Sequence, residues 1–333
     1  MKPVGVIANP ASGRDIRRLV TSADAAPVSD RISILVRMVR ALDSIGVEQV
    51  AFMPDPYGIG GKVARELEGQ LSTTSVETLA LERAEANFRD SVRCARIMRE
   101  MGCALIVVMG GDGTCRVVSK GCGDTPILPV STGTNNVFPQ FVEGTLLGLA
   151  AGALASGSVD ADLCCERVPV LELHRQGGPV EDIALVDVAV VAADEIGSRA
   201  VWRADTVREL FLTRSRPSQI GLSAIGGWWT GTPAATDCGL YLELGASGEP
   251  VAAPIAPGLI DTVRIASSAT LAGGESRRIR HDQGVVALDG EREIVLTGEE
   301  PLYVRFRLEG PRVVNLENTL EHAARRGLLR GSG

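Results

Sequence analysis

The chain has 333 residues, 45% of them hydrophobic and 23% charged, a balance that excludes an intrinsically disordered protein and leaves room for two domains. Its formal charge of −7, from 34 basic and 41 acidic side chains, excludes general attraction to nucleic acid or anionic lipid. Seven cysteines without CxxC or Cys/His ligand spacing argue against a disulfide framework or a structural metal, and suit a reducing cytoplasm.

Val4-Gly5-Val6-Ile7-Ala8 reads as a first strand. It is too short for a signal peptide and is ended by Asn9-Pro10-Ala11-Ser12-Gly13. In that loop Pro10 fixes φ, Gly13 frees it, and Asn9 and Ser12 offer side-chain hydrogen bonds; alone it is an ordinary strand-to-helix turn. A second strand, Val50–Met53, precedes Tyr57-Gly58-Ile59-Gly60-Gly61-Lys62, which lacks a dinucleotide fingerprint's third glycine and a Walker A hydroxyl and so reads as a loop opening a helix. The clearest helix runs from Ala84 to Met101, with Phe88, Val92, Ala95, Met98 and Met101 on one face and Gly102 as its stop.

Ala104 to Met109 is apolar and β-branched throughout, as in a parallel strand buried on both faces, and Gly110-Gly111-Asp112-Gly113-Thr114 follows it. The glycines let backbone N–H groups approach a ligand and permit φ > 0, while Asp112 and Thr114 add one carboxylate and one hydroxyl. At the carboxyl end of a parallel strand, phosphate donors beside one acid are what phoshoryl transfer requires; the plainer alternative is a turn with Asp112 as helix cap. The strand Ile127–Val130 leads to Ser131-Thr132-Gly133-Thr134-Asn135-Asn136, hydroxyls and amides that suit a ribose or phosphate. A small-residue helix near Thr145–Gly157 is too short and too rich in Gly and Ala to span a membrane.

Beyond it the period changes. Val168–His174, Ile183–Val191, Leu240–Leu244, Val263–Ala266, Val285–Leu288, Ile294–Leu296 and Tyr303–Leu308 read as strands, and Thr319–Leu329 as a last helix. Within them Asp289-Gly290 between alternating apolar runs is a hairpin signal. The pattern predicts an α/β domain with a doubly wound parallel sheet over residues 1–143, a β-rich domain over 144–310, and a C-terminal helical segment over 311–333.

The ordered loops carry a resemblance. Gly110–Thr114 resembles the signature of the superfamily that joins NAD kinases, diacylglycerol-type lipid kinases and phosphofructokinase-like enzymes. Asn9-Pro10-Ala11-Ser12-Gly13 and Thr132-Gly133-Thr134-Asn135 are similar to two nucleotide-side loops of the lipid kinases, although Asn136 stands where those carry an acid. Asp289-Gly290-Glu291 resembles the turn that brings the second domain back to the active site. Over nearly its whole length the chain is most similar to the acetoin catabolism protein X family, a branch grouped with ATP-NAD kinases.

The resemblance implies an NAD kinase-like fold with a β-sandwich-like second domain and a C-terminal helix, within 311–333, returning to the first domain. It also implies an ATP- and Mg²⁺-dependent kinase acting on a hydroxyl of NAD or a related small molecule, a step of NADP biosynthesis. Asp112 is then the catalytic carboxylate that orients or deprotonates the attacking hydroxyl. Asn9, Ser12, Gly13, Gly110, Gly111, Gly113, Thr114, Thr132, Gly133, Thr134 and Asn135 hold the nucleotide, and Asn136, Asp187, Asp289 and Glu291 face the acceptor. Asp187 matches the acid of an acceptor-binding pair whose amide is replaced by Val186, which predicts weak binding of NAD. The alternatives are a non-catalytic nucleotide sensor or accessory protein of acetoin catabolism, and a lipid-type kinase, the latter opposed by the lack of a basic membrane-facing patch. A cytoplasmic homo-oligomer without nucleic-acid or membrane partners is expected.

Overall fold

The structure is a computed structural model describing residues 1–8, 27–192, 204–231 and 237–330; Asn9, Ser12 and Gly13 lie outside the described residues. The apolar runs of the first part form a sheet in the order β3-β2-β1-β4-β5, where β1 is Val4–Ala8, β2 Gln49–Phe52, β3 Ser75–Thr78, β4 Leu105–Gly110 and β5 Ile127–Ser131. All five are parallel, so helices must cross over on both faces, and both faces are apolar. Helices α1 (Val28–Ile45) and α5 (Gly144–Ala155) bury one face, and α3 (Phe88–Glu100) and α4 (Asp112–Ser119) the other; α2 is Ile59–Glu66. The strand order reverses between β1 and β4, the switch point at which open α/β sheets bind ligands. Ala8 pairs with Met109 there, so the chain leaves β1 beside the residue preceding Gly110.

The predicted helix boundaries differ by a few residues. α3 begins at Phe88, where the Asn87 side chain accepts the N–H of Arg89, and Gly102 ends it at φ +71°. The glycines of α5 have a packing reason: a Cβ at Gly144 or Gly148 would come within 2.3 or 2.4 Å of the Ile34 or Met38 carbonyl oxygen of α1. Short α6 (Ala161–Cys164) follows α5 and leads into β6 (Cys165–Arg167).

The second part is two antiparallel sheets packed face to face. One has the order β12-β11-β10-β9-β14-β15 and the other β13-β16-β7-β8. Their strands are β7 Val170–Arg175, β8 Val180–Ala184, β9 Asp187–Val191, β10 Val207–Leu212, β11 Cys238–Ala256, β12 Leu259–Ala272, β13 Ser276–Arg278, β14 Gly284–Leu288, β15 Glu291–Leu296 and β16 Leu302–Arg307. Phe211, Tyr241, Val286, Val304 and Phe306 fill the space between the sheets. Helix α7 (Leu222–Thr230) covers the outer face of the larger sheet. The chain then returns: β17 (Arg312–Val314) pairs parallel with β5 and antiparallel with β6, and α8 (Leu316–Arg325) contributes Ala323 to the first core. No described helix is long and apolar enough to cross a membrane.

One predicted strand is two. Ile183–Val191 breaks after Ala184, and the chain passes from the smaller sheet to the larger through Leu185-Val186. Both side chains are buried in the core of the first part, beside Ile7, Cys115 and Val118. This dipeptide plugs the second part into the first.

Candidate active site at the seam of the two sheets

The five-residue loop after β4 turns directly into a helix. Gly111 is the N-cap in extended conformation (φ −97°, ψ −172°), and Thr114 and Cys115 both donate to its carbonyl. None of Gly110, Gly111 and Gly113 has positive φ, which corrects one of the two reasons given for them above. What the fold requires of them is close packing: a Cβ at Gly110 would meet the Thr114 side chain at 2.6 Å, one at Gly111 the Asn136 Oδ1 at 2.8 Å, and one at Gly113 the Glu291 Oε1 at 3.2 Å. The loop is therefore pressed between the loop after β5 and the β14–β15 turn. The N–H groups of Asp112 and Gly113 precede the first bonds of the ladder at the positive end of α4.

Asp112 is not the cap of its own helix. Its Oδ1 accepts the N–H of Phe138 at 2.8 Å, and both carboxylate oxygens lie 3.1 Å from the N of Val137, so it ties the first loop to the second. In the second loop, Asn136 Nδ2 donates to Ser131 Oγ (2.8 Å) and to the Gly133 carbonyl (3.2 Å), and Ser131 Oγ donates to Gly133 O (2.7 Å). Asn136 thus holds its own loop together. Thr132 is buried and Thr134 exposed. Only Asn135 of this loop turns into the cleft, and both Nδ2 and Oδ1 of its amide are buried without a hydrogen-bond partner.

Asp289 has φ +50° and Gly290 φ +81°, the two left-handed residues of a tight hairpin between β14 and β15. The buried Asp289 carboxylate accepts three consecutive backbone N–H groups, from Leu185 (3.0 Å), Val186 (2.8 Å) and Asp187 (3.2 Å), across the break between β8 and β9. Burial pushes this acid above the usual carboxylate range, while the Arg116 guanidinium and the three N–H groups act in the opposite sense. Val186 gives its N–H to Asp289 and its side chain to the core, so it does not face a ligand; the expectation that it stands in for an acceptor-binding amide is corrected.

A small cleft, partly open to solvent, lies where these loops meet. Asp112, Asn135, Asp187 and Asp289 form its polar wall. Ile220, Leu222 and Ile255 supply an apolar wall, with Gly221 as N-cap of α7 between them. Of the residues picked out from the sequence, Thr114 and Thr132 are buried away from this lining and Glu291 packs against Gly113.

The sequence reading missed three cations at the seam. Arg116, 2% exposed, reaches from α4 to Asp182 on β8 (Nη1 to Oδ1, 3.1 Å) and comes within 4.0 Å of Asp289 Oδ2. One turn on, Lys120 reaches the same Asp182 at 2.6 Å. The signal was present as two basic residues four apart, one inside the helix and one at its C-cap, flanking Val117 and Val118. Arg214, directly after β10, lies with its guanidinium carbon 5.0 Å from the Phe138 ring centroid.

Two family models match the chain: the ATP-NAD kinase N-terminal domain over residues 4–155 and the acetoin catabolism protein X C-terminal domain over 169–309. Acetoin catabolism protein X of Cupriavidus necator is 39% identical over 337 residues, covering 98% of this chain and 94% of the relative. The crystal structure of yeast NADH kinase complexed with NADH superposes with a TM-score of 0.50 at 11% identity, covering all of this chain and 89% of that one; at that identity the likeness is one of fold.

Proposed function

This chain belongs to the acetoin catabolism protein X family, and from that premise we propose that it is an ATP-dependent kinase that phosphorylates a hydroxyl of NAD or a related small molecule. The observation that carries the reading is the convergence of Asp112, Asn135, Asp187 and Asp289, from four separate segments and both parts of the chain, on one cleft at the switch point of the parallel sheet. An NAD kinase-like first domain and the fold shared with yeast NADH kinase support the reaction class.

In this reading the N–H groups at the start of α4 bind phosphate oxygens, as helix N-termini do. Asp112, held at a fixed position by Val137 and Phe138, orients the attacking hydroxyl and takes its proton. The Asn135 amide offers two donors and an acceptor to a ribose or carboxamide. Ile220, Leu222 and Ile255 keep water from the reacting groups. Asp289, with both oxygens committed to backbone N–H groups, positions Asp187 rather than meeting the acceptor itself.

Among the described residues no three His, Cys, Asp or Glu side chains are grouped to hold a metal ion. That donor set fits Mg²⁺ brought by nucleotide phosphates and completed by water and one or two carboxylates, for which Asp112 and Asp187 are the residues at hand. When bound, the ion would offset charge on the phosphates. The same reading takes the protein to be a cytoplasmic homo-oligomer that uses neither nucleic acid nor membrane as a partner.

A second reading, a nucleotide sensor without turnover, is favoured by one observation: the Asp112 carboxylate is engaged by two backbone N–H groups and so already has a structural task. Calorimetric titration with Mg-ATP, paired with an assay of ATP consumption, separates the two. Binding with consumption in the presence of NAD or NADH supports the kinase; binding without consumption under any acceptor supports the sensor.

A further inference from the structure

Arg214 is a cation at the seam that has no counter-ion among the described residues. Its position is set by Thr213, whose N–H donates to Val186 O (2.9 Å) and whose Oγ1 donates to Leu185 O (2.7 Å). The backbone at Arg214 is thereby fixed beside the dipeptide that Asp289 grips. Its guanidinium lies over the ring of Phe138, the residue whose N–H holds Asp112. Nε is buried with no hydrogen-bond partner, and among the described residues no carboxylate is within ion-pair distance of the guanidinium. Burial pulls this arginine below its usual value and the Arg216 charge adds to that, while the fields of Asp112, Asp289 and Glu166 pull the other way.

Leaving a guanidinium partly buried and unbonded is costly, and a purely structural arginine avoids it as Arg116 does, by bonding Asp182. The two acids nearest in effect are already engaged, Asp289 by three N–H groups and Asp112 by two. The planar fork of a guanidinium matches the oxygens of a phosphoryl group. The Asn135 amide, in the cleft wall with Val137, has no hydrogen-bond partner among the described residues and is a second polar group left for a ligand.

We infer that Arg214 binds a phosphoryl oxygen of the ligand held in this cleft. The assignment rests on the kinase reading for the identity of that oxyanion. During transfer the bond from phosphorus to the donor's bridging oxygen breaks, a bond to the acceptor oxygen forms, and the acceptor's proton passes to Asp112. Arg214 is then a catalytic residue that meets the charge on the equatorial oxygens, supplied by the second part of the chain to a site built on the first.

The test is calorimetric titration of inorganic tripolyphosphate and of NAD into the wild type, Arg214→Lys and Arg214→Gln, with melting temperatures and product formation read on the same samples. Tripolyphosphate affinity should fall tenfold or more in Arg214→Gln, with Arg214→Lys intermediate, and any fall in melting temperature should be confined to Arg214→Gln, which alone gives up the cation over the Phe138 ring. A fall confined to NAD would place the same contact on the acceptor's diphosphate and also supports the assignment. Unchanged affinity for both probes, no binding of either by the wild type, or lowered melting in both variants would overturn it. Loss of tripolyphosphate binding in Arg214→Gln while the wild type forms no product keeps Arg214 as an oxyanion site and sinks the kinase reading. Full product formation by Arg214→Gln does the reverse. Where both stand, kcat should drop by about 10³-fold in Arg214→Gln.

Discussion

Replacing Asp112 by asparagine removes the charge and puts an NH₂ group where a carboxylate oxygen now accepts a backbone N–H from Val137 or Phe138. If Asp112 takes the proton of the acceptor, turnover in Asp112→Asn falls by about 10²–10⁴-fold while Mg-ATP affinity changes far less. Steady-state kinetics beside calorimetry check this, and wild-type turnover would leave Asp112 a loop clamp only. Val186 leads to the opposite expectation from the one its sequence context suggests. Its side chain is packed among Leu185, Val170 and Ile7, so Val186→Asn buries an amide in an apolar core and costs about 1–3 kcal/mol of stability without improving NAD binding. Urea unfolding and NAD titration of that variant test both halves; tighter NAD binding would return Val186 to the ligand site.

At the scale of elements, the two parts are joined by a small set of contacts between α4, β8 and the β14–β15 turn. Arg116 and Lys120 meet Asp182, and Asp289 grips the break between β8 and β9. Arg116→Ala removes the buried partner of Asp182, which keeps Lys120, and the cation beside Asp289, which keeps its three N–H groups. It should destabilise the protein by about 1–3 kcal/mol, and a double-mutant cycle with Asp182→Ala should show coupling. Additive effects would mean that the pair does not join the parts. Asp289 gives a pH signature. Its folded value is raised, so its contribution to stability is present below the ordinary carboxylate value and is lost as pH rises through the folded one. Relative to Asp289→Asn, the wild type should lose stability over that rise, seen in urea midpoints from about pH 4 to pH 8; parallel curves would contradict it. Why β10 escaped a reading of the sequence is visible here too. Glu209 in its middle breaks the apolar run, yet it is buried and satisfied by Tyr241 Oη (3.0 Å), Arg280 N (2.8 Å) and His281 Nδ1 (2.8 Å), partners that no local pattern announces.

For the whole molecule, the alternation of strand and helix to β5 and the change to strand periodicity beyond α5 were legible because burial on both faces of a parallel sheet, and on one face of a sandwich, leaves different periods in the chain. The loops of the site were legible as motifs, since glycine beside an acid or an amide is unusual inside apolar runs. What was not legible depends on tertiary approach. Examples are the plug formed by Leu185-Val186, the close contact of Gly113 with Glu291, and the unpaired Arg214 above Phe138. Each needs elements more than twenty residues apart to be in place before its side chains mean anything.

The central claim is that the cleft transfers phosphoryl groups. The measurement that bears on it most directly is incubation of the protein with Mg-ATP and, in turn, NAD, NADH, acetoin-related metabolites and lipids, with products identified by mass spectrometry. A phosphorylated NAD, NADH or related small molecule formed by the wild type and lost in Asp112→Asn is the predicted result. Mg-ATP that binds but yields no phosphorylated product with any acceptor would contradict the claim and leave a nucleotide sensor in its place.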